Sequence, residues 1–177
     1  MTEKTTSLDR IFTGRILGLE VHRVELANGV RSTREIVRHH GAIAALARLP
    51  DGRFVLVRQY RKPMEQELLE VVAGCLEPGE APADCAVREL KEETGYEVDS
   101  LTPLGQLYPT PGYSDEVLHL FFARLRAAAA TPAPDEDEKV TVVILTAEQI
   151  EDGIRRDEIR DSKTISVWLR ARLAGLA

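Results

Sequence analysis

Two apolar runs of strand length, residues 41–49 and 54–60, are separated by little more than Pro50-Asp51-Gly52. Proline presets one turn dihedral and glycine permits another, so the second run returns antiparallel to the first. A strand apolar along nearly its whole length has no face to give to water and has to be covered on both sides. This chain therefore needs a sheet with other layers packed against it. Upstream, residues 11–27 alternate loosely, Asn28-Gly29 is a two-residue hairpin signal, and residues 30–38 form the returning strand. Residues 1–9 are polar and are expected to be a disordered tail.

Residues 82–94 carry the clearest helix pattern, with Pro82 in the first turn and Gly95 just past the end. Residues 101–108 and 117–125 follow as strands around a Pro- and Gly-rich loop at 109–116. Residues 127–138, ending in Asp135-Glu136-Asp137-Glu138, are expected to be a solvated loop. Residues 140–145 make a short strand. Thr146 and Gln149 fit a capping box for a helix to about Arg156. Asp161 caps a last helix whose Ile165, Trp168, Leu169 and Leu173 make an apolar stripe. Hairpins outnumber βαβ units, so the class is mixed α/β and not a doubly wound parallel sheet. No period of 20–50 residues recurs, which excludes a solenoid.

The 177 residues suit one domain. A net charge of −6 argues against a general nucleic-acid binder, which normally carries a basic face. Cys75 and Cys85 are too few for a disulfide scaffold. Residues 1–10 have no apolar core for a signal peptide, and no run of 18 apolar residues would span a membrane. A cytoplasmic protein without membrane partners is the expectation.

The chemistry concentrates on the helix at 82–94. Glu89, Glu92 and Glu93 stand at i, i+3 and i+4, within about 100° of arc. They flank the apolar arc of Ala83, Ala86, Val87, Leu90 and Thr94, so that edge faces a cleft. Carboxylates this close repel one another, and a positive group has to offset them. Arg88 reaches Glu92 at i+4, leaving Glu89 and Glu93 for another cation. An all-oxygen set selects a hard ion such as Mg2+ or Mn2+. Taken alone, such a trio is most often a solvated helix face. The histidines offer no competing site: His39 and His40 point to opposite faces of a strand, and His22 and His119 are isolated.

The flanks decide between these readings. Gly74, five residues, Glu80, seven residues, Arg88-Glu89-Leu90, one residue, Glu92-Glu93, one residue and Gly95 resemble the Nudix box. The seven exact matches, Leu90 aside, arise by chance in roughly one sequence in a million. One position departs, with Tyr96 where an aliphatic residue is usual. Further segments resemble the ADP-ribose pyrophosphatase branch of the Nudix hydrolases. They are Thr33-Arg34-Glu35-Ile36-Val37 before His40-Gly41-Ala42, Val57-Arg58-Gln59-Tyr60-Arg61, Pro111-Gly112-Tyr113-Ser114-Asp115-Glu116, and Asp161-Ser162-Lys163-Thr164. Pro111 lies 16 residues past Gly95, as that branch's loop proline does.

The resemblance implies a Nudix fold, a mixed β-sheet sandwiched between helices and preceded by an antiparallel hairpin. It divides the chain into a tail (1–9), strands for dimerisation and substrate contact (10–38) and a catalytic domain (39–177). It implies Mg2+- or Mn2+-dependent hydrolysis of ADP-ribose to AMP and ribose 5-phosphate. Alternatives are GDP-mannose, a broader nucleoside-diphosphate range, or an ADP-ribose sensor without catalysis. Glu89 and Glu93 become direct metal ligands, Glu92 a water-mediated or third-metal ligand, and the backbone carbonyl of Ala73 a further ligand. Gly74 lets the backbone approach the metals, and Arg88 orients the glutamates. Arg61 grips a phosphate, with Arg58 on the opposite strand face. Arg34 and Glu35 hold the adenosine end across a homodimer with swapped N-terminal strands. Glu70 bonds substrate or an arginine. Glu116 is the general base, because coordination occupies the lone pairs of the metal-bound glutamates; Glu92 is its rival.

Overall fold

The computed structural model describes residues 2–129 and 139–177, which form ten strands and three helices. The first three strands, β1 (Glu3–Thr13), β2 (Leu17–Leu26) and β3 (Arg31–His39), make an antiparallel sheet in the order β1-β2-β3. The expected hairpin is β2–β3, turning at Asn28-Gly29, where Gly29 has a φ of 79°. The expected disordered tail at 1–9 is instead most of β1. Every residue of β1 is exposed, so no burial pattern marks it. Its backbone pairs with β2, and Asp9 and Glu3 bond Arg23 (2.8 Å) and Arg34. Threonines at 5 and 6 suit an edge strand that packs on nothing.

The main sheet runs β10-β5-β4-β9-β8, with β4 (Ala42–Arg48), β5 (Phe54–Arg61), β8 (Tyr96–Leu107), β9 (Leu118–Ala129) and β10 (Val140–Leu145). β4 and β9 are parallel and the other pairs are antiparallel, which gives the mixed sheet. β4 and β5 diverge after two residue pairs. The wedge between them is filled by β6 (Gln66–Glu70) on β5 and β7 (Val72–Cys75) on β4. The strand changes partner at Val71, whose N–H donates to Thr164 Oγ1 at 3.0 Å. The sequence patterns above assign no strand to residues 66–75. β8 starts directly after the helix, earlier than the expected residue 101, and β9 extends into the segment expected to be loop. Residues 130–138 of that segment, with the acidic run, lie outside the described residues.

Helices cover both faces, as β4 requires. Ile43, Ala45 and Ala47 pack with Val57, Val72 and the Ala86 and Leu90 of α1 (Pro82–Thr94). Ala44, Leu46 and Leu56 pack with Ile150 of α2 (Ala147–Arg155) and Val167 of α3 (Ser162–Leu173). Phe54 meets Trp168 edge-on at 5.1 Å. Thr146 and Gln149 form the expected capping box, and Asp161 Oδ2 accepts from Thr164 N at 2.9 Å. The stripe of α3 differs from expectation. Thr164, Val167, Trp168 and Ala171 are buried, while Leu169 and Leu173 are 55% and 80% exposed. The buried set is an i, i+3, i+4, i+7 ladder through a threonine and an alanine, which hydrophobicity alone does not mark. Among the described residues, no helix is long and apolar enough to cross a membrane.

Candidate active site

The site begins where β7 runs under α1. Pro82 opens the helix at its first turn and Gly95 closes it with a φ of 73°, so residues 88–93 form its last two turns. Gly74 faces this edge closely. A Cβ there would lie 1.9 Å from Glu89 Oε1. The glycine is thus required by the close approach of a carboxylate. Its neighbour Ala73 and the side chains of Glu89, Glu92 and Glu93 line one cavity of about 550 Å3. Glu93 is 4% exposed.

Arg88 organises these acids. Its Nε and Nη2 donate to Glu80 at 2.8 and 3.0 Å, and its Nη1 donates to Glu89 at 2.8 Å and Glu92 at 3.0 Å. The hydrogen bonds that Arg88 donates lower the pKa of Glu80 to about 2, and the same bonds to Glu80 foremost raise that of Arg88. Arg88 therefore ties the loop before the helix to the helix and spreads one positive charge over three carboxylates. Burial raises the Cys85 thiol to about 12, so it stays protonated as a packing group.

Among the described residues, no three His, Cys, Asp or Glu side chains already stand as a cation cage. Glu89 and Glu92 are turned to Arg88 instead. The donor set still fits a hard divalent cation: three carboxylates and a backbone segment surround one cavity, with Gly74 leaving the room. Such a cation would compete with Arg88 for Glu89 and Glu92, while Glu80 retains the guanidinium.

The other sequence-predicted residues divide. Glu70, 1% exposed, accepts from Arg61 Nε (2.9 Å) and Nη2 (2.7 Å) and also from Lys163 Nζ. Lys163 in turn bonds Asp161 at 2.9 Å. These bonds outweigh burial and hold Glu70 below its ordinary pKa. Arg61 is raised above all by its hydrogen bonds to Glu70, and it does not line the cavity of the acidic edge. Glu116 sits at the end of the 109–116 loop, with Oε1 4.0 Å from His39 Nδ1. Arg34 donates to Glu3 and Ser32 on the N-terminal sheet, and Glu35 is exposed on β3. Within one chain, neither joins the cavity.

The cavity is also lined by residues that sequence reasoning passed over: Arg15, Ile16, His39 and His40. The alternation argument set the two histidines on opposite faces. β3 ends at His39, however, and Gly41, with a φ of 89°, turns the chain there, so both reach the cavity. Arg15 comes from the β1–β2 turn and carries no periodic signal. Lys163 was visible only as part of a helix start.

Comparison with known proteins agrees with this geometry. A profile of the NUDIX domain matches residues 38–167. The chain belongs to the Nudix hydrolase family. It is 44% identical over 164 residues to a methanol dehydrogenase activator of Bacillus methanolicus, covering 92% of this chain and 89% of that one. It is 43% identical over 165 residues to an ADP-ribose pyrophosphatase of Bacillus subtilis, covering 93% and 89%. A GDP-mannose pyrophosphatase of Yersinia enterocolitica is 35% identical over 156 residues, covering 83% and 81%. A solved structure described as an ADP compounds hydrolase superposes with a TM-score of 0.85 over 100% of this Nudix chain and 98% of that one. At 23% identity, it supports the fold alone.

Two outcomes follow from this geometry. Gly74→Ala is expected to fold, because only the flexible end of Glu89 stands in the way. It should lower kcat/KM by about 10²-fold through displacement of that carboxylate. Near-parent kinetics at an unchanged melting temperature would show that Glu89 needs no such cradle. Glu80→Gln tests the ion pair. A lowered pKa stabilises the fold above the unfolded value of 4.5, and that contribution fades as pH falls through about 2. Denaturant titrations should therefore show the largest gap between parent and variant at neutral pH, closing as the pH is lowered from 4.5 towards 2.

Proposed function

We propose that this Nudix chain hydrolyses the pyrophosphate bond of ADP-ribose to AMP and ribose 5-phosphate with Mg2+ or Mn2+. The observation that carries the reading is the single cavity on which Ala73, Gly74, Glu89, Glu92 and Glu93 converge. The identity to the Bacillus subtilis ADP-ribose pyrophosphatase supports the substrate. Glu89, Glu93 and the Ala73 carbonyl would hold the cation directly, and Glu92 would hold it through water. When bound, such a cation offsets the phosphate charge and acidifies the attacking water.

The protein's own groups do the rest. Glu116 takes the proton as the water oxygen bonds to phosphorus and the bridging P–O bond breaks. The electron pair leaves on the departing phosphate. Arg61 turns from Glu70 to a substrate phosphate; Lys163 keeps the buried Glu70 paired when it does. Arg88 keeps the acidic edge from repelling itself in the absence of a cation.

The second reading is GDP-mannose or a wider nucleoside-diphosphate range, favoured by the Yersinia enterocolitica relative. A panel of ADP-ribose, GDP-mannose and other nucleoside-diphosphate compounds with Mg2+ or Mn2+, scored by product mass, separates the two. ADP-ribose is expected among the best substrates. A preference for GDP-mannose would move the assignment, and no product from any compound would leave a binding protein. In the same assay Glu93→Gln should lose about a hundredfold or more in turnover and bind Mg2+ more weakly by calorimetry. Unchanged Mg2+ affinity would remove Glu93 from the ligand set.

The boundary near residue 39 separates an N-terminal sheet from the catalytic domain, and that sheet serves dimerisation. Its exposed Leu8, Ile11, Phe12 and Leu17 support the reading, since contiguous apolar surface marks an interface. Swapped strands would bring Arg34 and Glu35 to the partner's adenosine end. A dimer mass at micromolar concentration is expected, and a monomer mass would overturn the exchange.

A further inference from the structure

The loop that carries Glu116 is tied within itself by Tyr113 N and Ser114 N donating to Thr110 O at 3.2 and 3.0 Å and by Glu116 N donating to Ser114 Oγ at 3.2 Å. Pro109 and Pro111 lack N–H groups, and Gly112 adds freedom. β3 of the N-terminal sheet holds it. Val37 N donates to Tyr113 O at 2.7 Å, and Asp115 N donates to Val37 O at 3.1 Å. The carboxylate of Asp115 then closes the contact twice. Its Oδ2 accepts from Arg38 Nη1 at 2.8 Å and its Oδ1 accepts from His39 N at 2.9 Å.

Arg38 is fixed from behind. Glu20, buried at 6% exposure, accepts from Arg38 Nε at 2.8 Å and bonds His22 Nε2 at 2.9 Å. The bond with His22 foremost, with that from Arg38, lowers Glu20 to about 2. Burial raises Asp115, but the bonds from Arg38 and His39 N bring it below its ordinary value. Both acids are therefore charged at neutral pH. The amide that Asp115 captures belongs to the residue whose ring lines the cavity and lies 4.0 Å from Glu116 Oε1.

We infer that Asp115, braced by Arg38 and Glu20, is a positioning residue for Glu116, so that the N-terminal sheet sets the geometry of the catalytic loop. The inference rests on the reading of Glu116 as general base. One carboxylate ties the loop to the strand end and, through the same strand end, to His39. Losing it removes the side-chain ties at the residue next to Glu116, keeps the backbone bonds to Val37, and leaves the box helix and its acids untouched.

The experiment is a double-mutant cycle on the full chain with ADP-ribose and Mg2+. Glu116→Gln should lower kcat by about 10²–10⁴-fold. Asp115→Ala should lower kcat by about tenfold or more, with KM and Mg2+ affinity within about twofold of the parent. Asp115→Asn should recover only part of the loss, because its amide oxygen still accepts from His39 N while its NH2 group no longer accepts from Arg38. In the Glu116→Gln background, Asp115→Ala should change kcat by less than about twofold, since both act through one group. Additive losses would overturn the inference and leave the base reading intact. A Glu116→Gln variant within about fivefold of the parent would overturn the base reading, and the inference with it. Arg38→Gln, run through the same cycle, gives the same decision should Asp115→Ala fail to fold.

Discussion

One guanidinium makes the acidic edge possible. Three carboxylates within two helical turns repel one another, and a buried one such as Glu93 adds a desolvation cost. Arg88 answers with four hydrogen bonds to three glutamates, and Glu80 anchors it from the preceding loop. The loop, the helix and the strand beneath them are thereby held as one unit. A lysine, with a point charge and no planar fork, could not span Glu80 and Glu89 with the same geometry.

The parts of the fold legible in sequence were those with local causes. The α1 helix begins at a proline and ends at a glycine, and its limits in the structure are Pro82 and Thr94. The Asn28-Gly29 turn and the Thr146 capping box are likewise written in neighbouring residues. β1 was illegible because all its residues are exposed and its stability comes from backbone pairing and ion pairs with distant residues. β6 and β7 were illegible because their partner change at Val71 depends on Thr164, 93 positions away. The α3 face was misjudged because burial followed the ladder through Thr164 and Ala171 and passed by two leucines.

The candidate site divides along the same line. Glu89, Glu92 and Glu93 share an edge by helix periodicity, and Gly74 lies opposite Glu89 through the box spacing. Arg61 and Glu70 meet because β5 and β6 pair, and that pairing brought an unforeseen third member, Lys163. Arg15 and the two histidines come from a turn and a strand end, where no period operates. Arg34 and Glu35 belong to the N-terminal sheet, which within one chain keeps them out of the cavity.

The parallel pairing of β4 with β9 also governs how the protein comes to be folded. Residues 42–48 bond residues 118–124, and β5, α1 and β8 all lie in the chain between them. Closing so long a segment costs little more entropy than closing a shorter one, but it slows the search, because non-local contacts form only after the intervening chain is drawn in. The acidic edge of α1 lies inside that segment. Its helix can form early and locally, and the residues that share its cavity, from Arg15 to Pro78, all precede it in the chain. A ribosome delivering this chain from its N-terminus would expose β4, the most thoroughly apolar strand, for the synthesis of some seventy further residues. The residues of the cavity are thus made well before the sheet can close, and the molecule's most aggregation-prone interval ends with the late capture of β9 by β4.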